Sequence, residues 1–299
     1  MPFCELRLAV DSTTTEASLS QLLIASFDLG YERVVLCQTD HLRASSSSSA
    51  NSAKKKKKKL NETEEVTSVS STWICPKPYI AKVPDLIIQR CRQNNRKFRL
   101  YSRLNVIVHD NQSLHYLKRA EVQQEFDLIS FQAATRDIFL YLLGSTTIPH
   151  ELIVIDPGDA DLLPFPSKLM RAAAERGIHF ELIYSNALRD PIERRNFLAF
   201  GRYLASNVFK RGQAIILASN ATNPLQLRSA HDMMEIAQLF GYSQEISNKL
   251  LKQNPMDVLA RSFSRRKTVQ GTVWLEPKTD SVDEQQPIQK FVATETIRL

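Results

Sequence analysis

The chain has 299 residues, 43% of them hydrophobic and 24% charged, enough apolar material to bury a substantial core in one large domain or two small ones. Its formal net charge is +7, but the run Lys54–Lys59 supplies six of those charges, so the rest is near +1 and only locally basic. No apolar run approaches the roughly 20 residues that span a bilayer. Cys4, Cys37, Cys75 and Cys91 are scattered without CxxC or metal-ligand spacing, and Cys4 and Cys37 fall in apolar strand-like runs, as reduced, buried thiols of a reducing compartment would.

Residues 4–10 (CELRLAV) read as a first strand, and acidic Glu5 and Asp11 rule against a signal peptide there. Thr13 and Glu16 have the spacing of a capping box, opening a helix through Leu19, Leu22, Leu23 and Phe27 that ends at Gly30. Residues 33–38 form the second strand. Residues 41–72 then hold a serine run, the lysine run and the polar tract NETEEVTSVS, with almost nothing to bury. Such a segment cannot offset its ordering entropy and is expected to be a disordered insertion. Its lysines suit a nuclear import signal, a loose electrostatic tether or simply a solvated insertion that nothing reads.

Regular structure resumes with a short helix over 85–91 and a strand over 99–108, in the densest basic run outside the insertion. A helix over 113–125, a strand over 127–131, a helix over 135–143 and a strand over 152–155 follow. Residues 167–177 are helical. The next stretch, 179–228, reads strand (180–184), helix (192–208) and strand (214–218), a crossover unit with two parallel strands. After it come a helix over 227–239 and two shorter ones over 243–251 and 255–263. Seven strands, each followed by helical sequence, give a TIM-barrel-like α/β fold, a (β/α) barrel of about seven parallel strands over residues 1–271, with a flexible tail over 272–299. A doubly wound open sheet is the alternative.

Barrels carry ligand-contacting groups at the carboxyl ends of their strands, so any chemistry should lie there. The six histidines form no HxH or HExxH pair, and only His109 sits at a strand's carboxyl end. Asp11, Asp40 and Asp156 occupy positions that turn or cap duty explains. Ser185 and Ser219 lie at strand ends as exposed candidates, but neither has a GxSxG context or a neighbouring base. No catalytic residue, metal site or cofactor is therefore expected. What remains is arginine, whose planar fork suits phosphate oxygens: Arg103, Arg189, Arg194, Arg195, Arg228 and the cluster ending in Arg265, Arg266 and Lys267.

The order and spacing of SRLNVIV (102–108), FELIYS (180–185), RDPIERR (189–195), ASNATNPLQLR (218–228), LFG (239–241) and RRKT (265–268) are specific. By them the chain resembles the thirty-kilodalton protein subunit of eukaryotic ribonuclease P and RNase MRP, from the first strand to about Gly271, excluding the insertion. The resemblance implies a TIM-barrel-like fold and a nuclear, often nucleolar, location. It implies work in removing 5′ leaders from precursor tRNA and, through MRP, in pre-rRNA processing. Catalysis would come from the RNA subunit, with the barrel pairing to a small ferredoxin-like protein and meeting precursor tRNA indirectly. Arg103, Arg194, Arg195, Arg228, Arg265, Arg266 and Lys267 are the expected phosphate contacts. The competing expectation is a metal-dependent phosphoesterase of the same barrel type, against which stands AVDSTTT after the first strand, where such enzymes carry paired histidines.

Overall fold

A computed structural model describes residues 2–42, 73–110, 112–158, 165–269 and 273–274. The seven apolar runs become strands β1 (Phe3–Ala9), β2 (Tyr31–Leu42), β3 (Arg99–Val108), β4 (Leu128–Ala133), β5 (Leu152–Ile155), β6 (His179–Ile183) and β7 (Ile215–Ala218). They pair in sequence order, and every pair is parallel. The helices between them are α1 (Glu16–Asp28), α2 (Asp85–Asn94), a 3-10 helix (Gln112–Lys118) with α3 (Ala120–Glu125), α4 (Arg136–Gly144), α5 (Ser167–Glu175), and α6 (Ser185–Arg189) with α7 (Pro191–Tyr203). After β7 come α8 (Ala230–Leu239) and α9 (Gln244–Lys267).

A (β/α) barrel conventionally has eight strands, and this one closes with seven. The sheet curls until the chain just beyond β7 meets β1: Leu8 and Ala221 form a parallel bridge, Ala9 N–H donates to Ala221 O (3.0 Å), and Asn220 N–H donates to Arg7 O (2.9 Å). Side chains complete the seam. Glu5 Oε1 accepts from the amides of Ser219 (3.1 Å) and Arg7 (3.0 Å), and Ser219 Oγ donates to Arg7 O (3.1 Å). Backbone groups that a further strand would have paired are thus satisfied locally.

Alternation along each strand separates two cores. Leu104, Val106, Ile129, Phe131, Ile153, Phe180, Leu182, Ile215 and Leu217 belong to the large cluster shared with the outer helices. Residues of the other parity, Val35, Leu128, Leu152 and Ile216, join Cys4 and Leu6 inside the barrel near the strands' amino ends. There Val258 and Leu259 of α9 pack against them, closing the barrel floor. Burial drives the Cys4 thiol up to about 12, so it is an inert apolar filler.

Several boundaries differ from the sequence expectation. α1 is capped by Thr15, whose side chain accepts from Ser18 N, while Thr13 and Thr14 bond Asp11 instead of forming a box. Gly30 takes φ +97°, the left-handed conformation expected at that helix end. β2 runs on to Leu42, so His41 is a strand residue, and residues 43–72 of the expected insertion lie outside the described residues. The helix expected over 192–208 turns from α to π at Leu204–Val208, and α6 precedes it. Gly201 lets α7 approach α8 closely: a Cβ there would sit 2.3 Å from the Phe240 ring. The two short helices expected over 243–251 and 255–263 are one: α9 is continuous through Pro255, because Leu250, Leu251, Val258 and Leu259 bury along its length and Asn254 Nδ2 donates to Gly212 O (2.8 Å) and Ile215 O (2.7 Å). Beyond α9, Thr268–Val269 (β8) and Val273–Trp274 (β9) pair antiparallel, so two residues of the expected tail are strand; the rest of it, residues 272 and 275–299, lies outside the described residues.

Candidate nucleic-acid interface

At the carboxyl end of β6 the chain turns through α6 into α7. Asp190 Oδ1 accepts from the amides of Ile192 (2.6 Å) and Glu193 (3.1 Å), and Pro191 fills the first helical position, where its missing N–H costs nothing. This cap fixes where the next turn, Arg194 and Arg195, points. Both are exposed. Arg194 spends part of its fork on carbonyls at the end of α6, Nε to Ala187 O (2.9 Å) and Nη2 to Leu188 O (3.2 Å), which holds the guanidinium in one orientation.

The loop after β7 lies at the same end and carries Arg228. Its backbone is clamped by two tyrosines: Tyr31 Oη donates to Arg228 O (2.9 Å), and Arg228 N–H donates to Tyr184 Oη (3.1 Å). Burial raises both phenols far above their ordinary value, so they serve as neutral hydrogen-bonding groups. The half-buried Arg228 side chain curls back, Nη1 donating to Leu225 O (3.0 Å) and Leu227 O (2.7 Å). Beside α6 and the first turn of α7 lies a cavity of about 40 Å³, lined among others by Gln132, Asp156, Asn186, Glu193 and Phe197.

Arg103 is elsewhere. It is fully buried within the barrel, bidentate to Glu181 (Nη1–Oε1 2.5 Å, Nη2–Oε2 2.6 Å), with Nε to Ser130 Oγ (2.9 Å) and Nη1 to Leu6 O (3.0 Å). Arg7 meets the same Glu181 (Nη1–Oε2 3.0 Å) and reaches Asn220 Oδ1 (2.9 Å). The expected phosphate contact at Arg103 is therefore corrected: all its fork is engaged in the interior and none faces solvent. Burial alone would push the Glu181 carboxyl up, but Arg103 and Arg7 outweigh it and hold it below the ordinary value. Glu5 has no such cations bonded to its carboxylate. Burial pushes it up to about 8, with the charge of Glu181 adding to the effect.

The third group lies at the opposite end of the barrel. Arg265 donates to Glu151 Oε1 (2.6 Å) and to the carbonyls of Gln123 and Asp127, just ahead of β4 and β5. Arg266 pairs with Asp127. Both expected phosphate contacts here are thus occupied in docking α9, whereas Lys267 at its end is exposed. The seven expected residues do not form one site: one is interior, three are on the carboxyl face and three on the amino face.

Ser185 and Ser219, expected to be exposed, are buried, and Ser219 belongs to the seam. His150 and His179 are buried and bond Ile148 O (2.8 Å) and Gly177 O (3.2 Å); burial lowers His150 to about 4 and lowers His179 as well. Among the described residues no group of three or more His, Cys, Asp or Glu side chains is placed to hold a metal ion. Unforeseen by sequence were Glu5, Arg7 and Glu181. Their signal is a charge set within an apolar strand run, in CELRLAV and FELIY.

The model of the family RNase P subunit p30 matches residues 2–267, nearly the whole described chain. The chain belongs to this family. It is 28% identical over 206 residues to ribonuclease P protein subunit p30 of Mus musculus, covering 66% of this chain and 73% of that one. It is 27% identical over 180 residues to protein GAMETOPHYTE DEFECTIVE 1 of Arabidopsis thaliana, covering 60% of this chain but only 30% of that one. Among solved structures, a chain from the cryo-EM structure of archaeal ribonuclease P with mature tRNA superposes with a TM-score of 0.57 at 12% identity, covering 93% of this chain and 100% of that one. At that identity the likeness is one of fold, and it matches the p30 barrel described above.

Proposed function

We propose that this chain is a noncatalytic RNA-binding protein subunit of the ribonuclease P ribonucleoprotein, which removes 5′ leaders from precursor tRNA, and of RNase MRP in pre-rRNA processing. The observation that carries this reading is the p30 family match across residues 2–267. The geometry agrees with it. Exposed Arg194 and Arg195, with half-buried Arg228, stand on capped or clamped backbone at the carboxyl face, a preorganised cationic surface suited to phosphate. Lys267 offers a further contact at the amino face. The RNA subunit supplies the catalysis, a small ferredoxin-like protein is the direct protein partner, and the site of action is the nucleus and nucleolus.

The competing reading, a metal-dependent phosphoesterase, finds little support in the barrel's own carboxylates. Glu181 is locked between two guanidinium groups and Glu5 is tied to two amides, both beyond reach of a substrate. Incubating purified protein with precursor tRNA and a divalent metal, with and without the RNA subunit, separates the two. Cleavage only when RNA is present supports the scaffold; cleavage by protein and metal alone contradicts it.

A further inference from the structure

The segment after β3 carries a cluster that the arginine-bearing face does not include. Leu114 and Leu117 are buried in the large core, three residues apart on a 3-10 helix, where residues at that spacing eclipse. Anchoring that edge turns the others outward. His115, Lys118 and Arg119 are exposed and Tyr116 is half-buried. The Tyr116 and His115 ring centroids are 3.9 Å apart at 37°, and the Arg119 guanidinium lies 4.6 Å from the Tyr116 centroid. Residues 112–119 (QSLHYLKR) contain no carboxylate. Just before them, at the carboxyl ends of β2 and β3, His41 and His109 form a second stacked pair, with centroids 5.4 Å apart at 19° and Nδ1–Nε2 3.1 Å.

The exposed planes of His115 and Arg119, both resting against the Tyr116 ring and beside Lys118, are suited to an unpaired nucleobase. Base stacking on aromatic and guanidinium planes tolerates any base, and the adjacent cations meet the phosphates on either side. We infer that His115, Tyr116 and Arg119 form a stacking site for an unpaired nucleotide of bound RNA, with Lys118 on the flanking phosphate. The inference rests on the RNA-binding reading and adds to it a class of contact, single-stranded rather than duplex.

The test measures binding of the full chain to a single-stranded oligouridylate of about 12 nucleotides and to an RNA duplex of similar length. Tyr116→Leu keeps the apolar contact with the core and removes the ring, and thermal melting checks that it folds. Arg119→Ala provides a second variant outside the core. Both should weaken oligouridylate binding by about tenfold while changing duplex binding less than about twofold, and Tyr116→Phe should bind as the parent. Equal losses on both ligands, or no loss on either, overturn the stacking site. A parent chain that binds neither RNA overturns the RNA-binding reading as well. If Arg194→Ala/Arg195→Ala weakens both ligands while Tyr116→Leu and Arg119→Ala change nothing, that reading stands and only the stacking site falls.

Discussion

Arg103 and Glu181 form a bidentate ion pair inside the barrel, neither side chain exposed to solvent, with Arg7 on the same carboxylate. Pairs like this contribute little net stability against an apolar replacement, but breaking one leaves a buried charge alone. Arg103→Ala should destabilise the fold by about 3–5 kcal/mol in urea denaturation. Arg103→Met with Glu181→Leu should cost clearly less than the sum of the two single changes, though Arg7 will feel the loss. RNA affinity of any of these variants that fold should match the parent, since Arg103 presents nothing at the surface.

Glu5 and Glu181 give opposite pH dependences. The folded Glu5 carboxyl, raised from 4.5 to about 8, holds a proton that the unfolded chain has lost, so its contribution to stability is full below 4.5 and is lost as pH rises towards 8. Glu181, lowered from 4.5, contributes stability that is present above that value and lost as pH falls through its folded one. Glu5→Gln keeps an oxygen for the Ser219 and Arg7 amides and abolishes the titration. Relative to the parent, that variant should gain melting temperature on going from about pH 5 to about pH 8. An unchanged difference across that range would show Glu5 ionised at its ordinary value.

Arg265 is a structural residue in a basic cluster. Its side chain is nearly buried against Glu151 and caps the carbonyls ahead of β4, so Arg265→Ala should strand a buried carboxylate and loosen α9 from the barrel floor. The expected loss is about 3 kcal/mol or more, with faster amide exchange in α9. Lys267→Ala, at an exposed helix end, should change stability by less than about 0.5 kcal/mol.

Arg194→Ala/Arg195→Ala should lower RNA affinity and flatten its salt dependence, each lost phosphate contact reducing the log–log slope by about 0.7–0.9. Titrations at several salt concentrations check this. An unchanged slope removes the pair from the interface.

Sequence periodicity was enough to place all seven strands and the barrel, because each apolar run alternates between two buried faces that the fold uses. It could not show how seven strands close, since closure depends on Glu5 and Arg7 meeting Ser219 and Asn220 across more than two hundred residues of chain. Composition likewise marked the arginines as cationic without telling what each faces. Arg103 lies on the strand parity that points inward, and Arg265 and Arg266 find carboxylates, Glu151 and Asp127, more than a hundred residues away. The split of α9 into two short helices failed for a related reason: tertiary burial on both sides of Pro255 keeps the helix continuous through a residue that would end an isolated one.

The most direct measurement is purification of the tagged full chain from cell extract, followed by sequencing of the RNA that comes with it. A ribonuclease P/MRP subunit should enrich the RNase P and RNase MRP RNAs, with precursor tRNA as a minor companion. Recovery without enrichment of either catalytic RNA, under salt low enough to keep phosphate contacts intact, would contradict the account.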